Sequence, residues 1–297
     1  MAALAFVGLG VMGFPMAGHL ASAGHAVRVY NRDPAKALQW AGRHAGEVAA
    51  SAGEAARGAE AVFLCLGNDD SVRSVVLGEG GVLAAMSPGS VLIDHTTASA
   101  ELARELAAAC AAHGVGWLDA PVSGGQAGAE NGKLTIMCGG EAADFAAVER
   151  FLASYARCAR RLGPAGAGQL AKMVNQICIA GVVQGLAEGL HFARAAGLDA
   201  HAVIDVIRQG AAQSWQMENR HATMLDDRYD FGFAVDWMRK DLGIVQDEAR
   251  RNGSSLPLVA LVDQFYAEVQ AIGGGRWDTS SLLARLECNG STGKHDA

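Results

Sequence analysis

The segment Leu4-Ala5-Phe6-Val7-Gly8-Leu9-Gly10-Val11-Met12-Gly13 constrains the fold more than any other stretch of the chain. A short apolar run breaks into G-x-G-x-x-G, and a helical stretch from Phe14 to Ala23 follows. Pro15 falls in its first turn, where a missing N–H costs nothing. Gly24-His25 ends that helix, and Val27-Arg28-Val29-Tyr30 reads as the next strand. The glycines therefore stand at the first β-to-α turn of a βαβ unit, where a dinucleotide loop belongs. There Gly8 makes the tight turn, Gly10 lets the backbone approach a pyrophosphate, and Gly13 lets helix and strand pack closely. Leu9, Val11 and Met12 complete the loop. The helix start offers unpaired N–H groups and the positive end of its dipole to phosphates. The plainer alternative is a glycine turn in an ordinary βαβ unit.

A chain of 297 residues is long for one core and suits two domains. Up to about Gly163 short apolar runs alternate with helical stretches. Ala61–Leu66 is a continuous apolar strand, as a buried parallel sheet requires. Val91–Asp94, Gly116–Asp119 and Leu134–Met137 read as further strands, with helices at about 100–113 and 142–154 and a last strand near Arg161. This is the pattern of an α/β Rossmann-type doubly wound parallel sheet, over 1–163. After Gly163-Pro164 the strand signals largely stop. A long interdomain helix over about 169–196 opens an all-α C-terminal domain, 164–297, with further helices near 200–209, 215–224, 237–252 and 257–272. Gly181, Gly185 and Gly189 lie four apart on the long helix, and each costs about 1 kcal/mol against alanine. Close approach of a neighbouring helix, in this subunit or another, would offset that. The polar segment from Asn289 onwards reads as a frayed tail.

A net charge of −7 with no concentrated Lys and Arg argues against nucleic acid as a partner. The six cysteines show no metal-ligand spacing, so no metal is expected, and they read as buried hydrophobes in a reducing cytoplasm. The N-terminal apolar run has no basic leader, so no secretory signal is expected. The apolar window Ile177–Leu190 is interrupted by Gln184 and Glu188, and reads as too short and too polar to span a membrane.

Four clusters could carry chemistry. At the end of the second strand, where an acidic residue would bond the adenosine ribose, stands neutral Asn31 with Arg32 beside it to pair with a 2′-phosphate. That favours NADP over NAD. Asp33, followed by Pro34, is a helix N-cap instead. Second, Asp119-Ala120-Pro121-Val122-Ser123-Gly124-Gly125 puts a hydroxyl and exposed N–H groups after a strand, either a nest for a carboxylate or a flexible turn. Third, Lys172, Asn175 and Gln176 share one face of the long helix. Partial burial equips such a lysine to exchange its proton; a lysine snorkelling at a domain junction is the alternative. Fourth, Lys240-Asp241 follows Phe231, Phe233 and Trp237. The ion pair alone reads as a surface pair, and the aromatics more as core than as ligand contacts. The rest of a substrate pocket is nonetheless expected from the second domain, around Gln213, Ser214, Trp215 and Phe231.

Taken in order, F-V-G-L-G-V-M-G-F-P-M-A, D-A-P-V-S-G-G, G-A-G-Q-L-A-K-M-V-N-Q and K-D-L resemble the β-hydroxyacid dehydrogenase family over nearly the whole chain. The resemblance implies hydride transfer between NADP, or less favourably NAD, and a small carboxylate-bearing substrate. It implies Lys172 as the catalytic lysine and Ser123 and Gly124, with Gly125 beside them, as the carboxylate site. It implies Lys240 on the nicotinamide side, Thr97 as a cofactor contact, and a helical domain that supports a homo-oligomer. Leu66-Gly67-Asn68 fills a cofactor loop that in the family usually reads Leu-Pro, so Gly67 departs from the pattern. Many members carry two asparagines after the lysine; here the second is Gln176, which leaves open whether Asn175 or Gln176 holds substrate. Glyoxylate or short semialdehydes, a serine-type β-hydroxy amino acid, an imine, and a non-catalytic dinucleotide-binding assembly module are the competing readings.

Overall fold

The computed structural model describes residues 1–291, with side chains described as far as Glu287. Its strands are β1 Ala3–Val7, β2 Ala26–Tyr30, β3 Glu47–Val48, β4 Ala61–Leu64, β5 Val91–Asp94, β6 Gly116–Asp119, β7 Val122–Ser123, β8 Leu134–Gly140 and β9 Ala156–Gly163. They form one sheet in the order β3-β2-β1-β4-β5-β6-β8-β7, with β9 on β8. From β3 to β6 every pairing is parallel, while β8 runs antiparallel to β6 and β7. The strand order reverses between β1 and β4, so the loops after these two strands are neighbours at the carboxyl edge of the sheet. That is the topological switch point where open α/β sheets bind ligands.

The helices of this half are α1 Gly13–Ser22, α2 Pro34–Ala41, α3 Ala52–Ala56, α4 Asp69–Leu77, α5 Val82–Ala85, α6 Ala100–Ala112, α7 Gly125–Glu130 and α8 Ala142–Leu152. Strand residues alternate between two faces, and both faces are covered. Leu4, Phe6, Val29, Phe63 and Ile93 pack with Met16 and Leu20 of α1, Trp40 of α2 and Phe151 of α8. Ala5, Val7, Val62, Leu64 and Leu92 pack with α3, α4 and α5 and with Leu102 and Leu106 of α6 on the opposite side.

The second half holds α9 Ala167–Ala195, α10 Ala200–Ile207, α11 Trp215–Leu225, α12 Val235–Asn252, α13 Pro257–Ala271 and α14 Leu282–Ser291. The chain divides into two compact units, with the division between Lys172 and Met173, inside α9. The first unit therefore includes the opening turns of that helix.

Several expectations change. Helix α9 runs 29 residues with a mean hydropathy of 1.3 in its most apolar window, which by length and composition alone suffices to cross a membrane. It is longer than the window Ile177–Leu190 because Ala167–Gln176 continues the helix. Its buried Gln169, Lys172, Gln176 and Gln184 are those of a helix packed against protein. Of the three spaced glycines, only Gly181 is closely approached, by Leu258 of α13; Gly185 and Gly189 face open space. Cys110 and Cys138 are buried, but Cys158 and Cys178 are exposed, on strand β9 and on the outer face of α9. The backbone of α14 reaches Ser291, into the expected tail; residues 292–297 and the side chain of Cys288 lie outside what is described.

Candidate active site

The loop after β1 is built for close approach. Gly8 has φ +98°, and a Cβ there would overlap the Cys65 carbonyl oxygen at the end of β4. A Cβ on Gly13 would overlap the Gly8 carbonyl oxygen and stand 3.0 Å from Phe6 Cε1. Gly10 is different: it is exposed and nothing lies within 4 Å of where its Cβ would be. One glycine makes the turn, one lets α1 seat on β1, and the third leaves an open cradle. Leu9 is buried, whereas Val11 is exposed at the loop's rim and Met12 is half-buried.

Asn31 does more than leave the ribose position uncharged. Its Oδ1 accepts the Leu9 N–H at 2.9 Å and its Nδ2 donates to the Asp33 carbonyl at 3.0 Å. Its side chain is thus bound into the glycine loop, and Arg32 beside it is exposed. Asp33 caps α2 through the Ala35 N–H at 3.1 Å.

The loops after β4 and β5 are bonded together. Leu66 N–H donates to Thr96 Oγ1 at 2.9 Å. Asp94 accepts the Thr96 N–H at 2.9 Å and the Thr96 hydroxyl, and burial pushes its carboxyl up to about 7. Asn68 caps α4 through Ser71 N–H at 2.9 Å, a local duty that sequence reading missed. Gly67 and Thr97 are half-buried in these loops. His95 is buried between the sheet and Tyr155, bonding the Ala120 carbonyl through Nδ1 at 2.6 Å and the Tyr155 hydroxyl through Nε2 at 2.9 Å. Burial pulls its pKa down to about 4, so it is neutral: Nδ1–H donates and Nε2 accepts.

Beyond Ala120 the D-A-P-V-S-G-G segment turns outward. Ser123 is half-buried, and Gly124 and Gly125 are exposed with φ of +127° and +62°, which opens the chain into α7.

Lys172 is 7% exposed, on the inner face of α9. It is a buried lysine, not a solvated one. One turn on, Gln176 is also buried, and its Nε2 donates to Asp241 Oδ2 at 2.7 Å while its Oε1 accepts from Asn175 Nδ2 at 2.8 Å. Asn175 is half-buried. Lys240 Nζ lies 3.1 Å from Asp241 Oδ1, and the Asp241 side chain is only 1% exposed, so this ion pair is no surface pair. The second unit thus joins Asn175, Gln176, Asp241 and Lys240 into one polar chain.

The aromatics of this unit are not core: Trp215, Phe231, Phe233 and Trp237 keep 37–51% exposure. Arg220 lies 4.9 Å from the Trp215 ring and 5.0 Å from the Phe231 ring, and its Nε bonds buried Asp278 at 3.1 Å. Asp278 also accepts the Phe233 N–H at 2.9 Å. The aromatic loop is therefore held open by a buried carboxylate. Among the described residues, no group of three or more His, Cys, Asp or Glu could hold a metal ion.

A switch-point glycine loop on a doubly wound sheet, with a buried lysine at the head of a long helix, defines an NAD(P)-binding oxidoreductase. Residues 3–163 match the model of the NAD binding domain of 6-phosphogluconate dehydrogenase. Residues 166–286 match that of the NAD-binding domain of NADP-dependent 3-hydroxyisobutyrate dehydrogenase. An uncharacterized oxidoreductase of Shewanella frigidimarina is 66% identical over 97% of this chain and 99% of its own. The NAD-dependent L-serine dehydrogenase of Pseudomonas aeruginosa is 34% identical over 90% and 91%. The structure of a Mycobacterium tuberculosis 3-hydroxyisobutyrate dehydrogenase with L-serine superposes with a TM-score of 0.86 at 34% identity, covering 96% of this chain and 99% of that one. The chain belongs to the β-hydroxyacid dehydrogenase family and is an NAD(P)-dependent hydroxyacid dehydrogenase.

Proposed function

We propose that the protein uses NADP to interconvert a small β-hydroxy acid and its semialdehyde or oxo acid, with Lys172 as the general acid and base. The observation that carries this reading is the burial of Lys172 within the family's helix motif. A lysine removed from bulk water holds its proton in a fixed place and passes it only to a group bound against it.

The open cradle at Gly10, beside the start of α1, fits a pyrophosphate. Exposed Arg32 fits a 2′-phosphate, with Asn31 spent on the loop. When bound, the nicotinamide supplies or accepts the hydride. In the reducing direction Lys172 Nζ donates a proton to the substrate carbonyl oxygen, and in oxidation it takes the proton from the hydroxyl. The Ser123 hydroxyl and the backbone N–H groups of Gly124 and Gly125 hold the substrate carboxylate, which fixes the reacting carbon. Asn175 is assigned to substrate because it is half-buried, whereas Gln176 is buried and donates to Asp241. For Lys240 the family resemblance implies a role towards the nicotinamide, and its ion pair to buried Asp241 holds its Nζ.

A homo-oligomer in the cytoplasm completes the proposal. The outer face of α9 supports it, with exposed Val174, Val182 and Phe192 flanking open Gly185 and Gly189.

The test is a panel of acids run in both directions with each nucleotide, including 3-hydroxyisobutyrate, L-serine, glyoxylate, and tartronate and succinic semialdehydes. The expected result is turnover of at least one acid with kcat/KM for NADP above that for NAD by about tenfold or more. NAD preferred over NADP would overturn the cofactor choice. No turnover of any acid would overturn the substrate class.

A further inference from the structure

Helix α9 begins without a capping side chain of its own. The residues before it are Gly163, Pro164, Ala165 and Gly166, none of which can accept a hydrogen bond through a side chain. The acceptor comes from β6 instead. Asp119 Oδ1 accepts the Gly166 N–H at 2.8 Å and Oδ2 accepts the Gln169 N–H at 2.9 Å, and the Gly168 N–H bonds the same carboxylate. The fit is tight: a Cβ on Gly168 would stand 2.5 Å from the Asp119 carbonyl oxygen, and one on Gly139 would stand 2.6 Å from Asp119 Oδ1. Only glycine at both places lets the first turn of α9 rest on the ends of β6 and β8.

Gln169, 1% exposed, makes the second tie. Its Nε2 donates to the Thr96 carbonyl at 2.7 Å and its Oε1 accepts the Ala98 N–H at 3.0 Å. Those two backbone groups flank Thr97, and Thr96 in turn accepts the Leu66 N–H. Lys172 follows Gln169 by three residues, on the same side of the helix.

We propose that Asp119 and Gln169 are positioning residues that lock the turn carrying Lys172 to the loops carrying Thr97 and Leu66. The acid and the cofactor's contacts are then held as one body. This rests on the reading of Lys172 as the proton donor and of those loops as cofactor contacts. Asp119 sets the height of the helix start above the sheet. Gln169 sets its distance from the loop after β5. Neither touches a reacting atom, and both act through geometry, where a displacement of about 1 Å costs on the order of a hundredfold in rate.

The test compares Gln169→Leu, Gln169→Glu and Lys172→Met in the full-length protein. The measurements are melting temperature, NADPH affinity, kcat, KM and the primary isotope effect from deuterated NADPH. Gln169→Leu removes both bonds; Gln169→Glu keeps the acceptor and loses the donor to Thr96. The expected result for Gln169→Leu is a kcat about 10–100-fold lower, KM and NADPH affinity within about threefold of wild type, and a larger isotope effect. Gln169→Glu should show a smaller loss in the same direction. Should the leucine variant not fold, the glutamate variant decides alone. A folded variant with wild-type kcat and isotope effect, while Lys172→Met is inactive, would overturn the clamp and leave the lysine standing. Wild-type turnover by Lys172→Met would overturn the reading beneath it.

Discussion

Alanine at Gly10 and alanine at Gly13 should fail in opposite ways. Both glycines have φ outside the left-handed region, so neither substitution strains the backbone. At Gly13 the added Cβ would overlap the Gly8 carbonyl oxygen and press on Phe6, whose ring is fully buried. Either α1 lifts from β1 or the loop gives way, at about 1–3 kcal/mol for overpacking of this kind. For a unit of this size each kcal/mol moves Tm by ~2–4 °C, so Gly13→Ala should melt ~2–12 °C lower. At Gly10 the Cβ meets nothing. The apoprotein should melt within ~2 °C of wild type, since the change stays below ~0.5 kcal/mol. The methyl group instead enters the space a pyrophosphate needs. NADPH affinity should fall by about 10–100-fold, or ~1.4–2.8 kcal/mol. Melting curves with and without NADPH, together with a fluorescence titration, measure both effects. The ligand-induced rise in Tm seen in wild type should largely vanish in Gly10→Ala. A Gly10→Ala protein that binds NADPH normally would refute the placement of the pyrophosphate. An unchanged melt for Gly13→Ala would refute the packing argument.

Arg32→Ala should raise the KM for NADPH by about tenfold or more and leave that for NADH within about twofold, read by initial rates with each nucleotide. Asp94→Asn should stabilise the protein in a pH-dependent way. The folded-state pKa of Asp94 is raised from 3.8 to about 7 by burial, so its contribution to stability is fully present below pH 3.8 and is lost as pH rises through about 7. The variant's advantage in denaturant unfolding should therefore grow from pH 4 to pH 7 and then level off, with a ceiling of ~4 kcal/mol. A difference independent of pH would contradict the raised pKa.

Much of this was legible in the sequence, for physical reasons. The strands β1, β2, β4 and β5 announce themselves as apolar runs because both faces of the sheet are covered, and α9 announces itself by length. Strand β3 is two exposed residues, and α7 is a Gly-Gln-Ala-Gly-Ala-Glu turn, so neither carries a hydrophobic period. Lys172 stood out because a charge in an apolar helix is costly unless used. The duty of Asp119 did not, because its partners are backbone N–H groups 47 and 50 residues further on. One signal was available: a helix opening on Pro-Ala-Gly lacks its own cap and must borrow an acceptor. The openness of Phe233 and Trp237 was missed because nothing nearby in sequence reveals that Asp278 and Arg220 hold the loop. A Cβ on Gly232 would collide with Asp278, so that loop depends on a glycine as well.

The proposed proton transfer depends on Lys172. Replacing it with methionine keeps most of the buried volume and removes the proton. Steady-state turnover of the best acid on the panel, followed at the nicotinamide absorbance, should fall by about 10²–10⁴-fold. NADPH should bind within about threefold of wild type. A Lys172→Met protein that turns over at the wild-type rate would contradict the central claim.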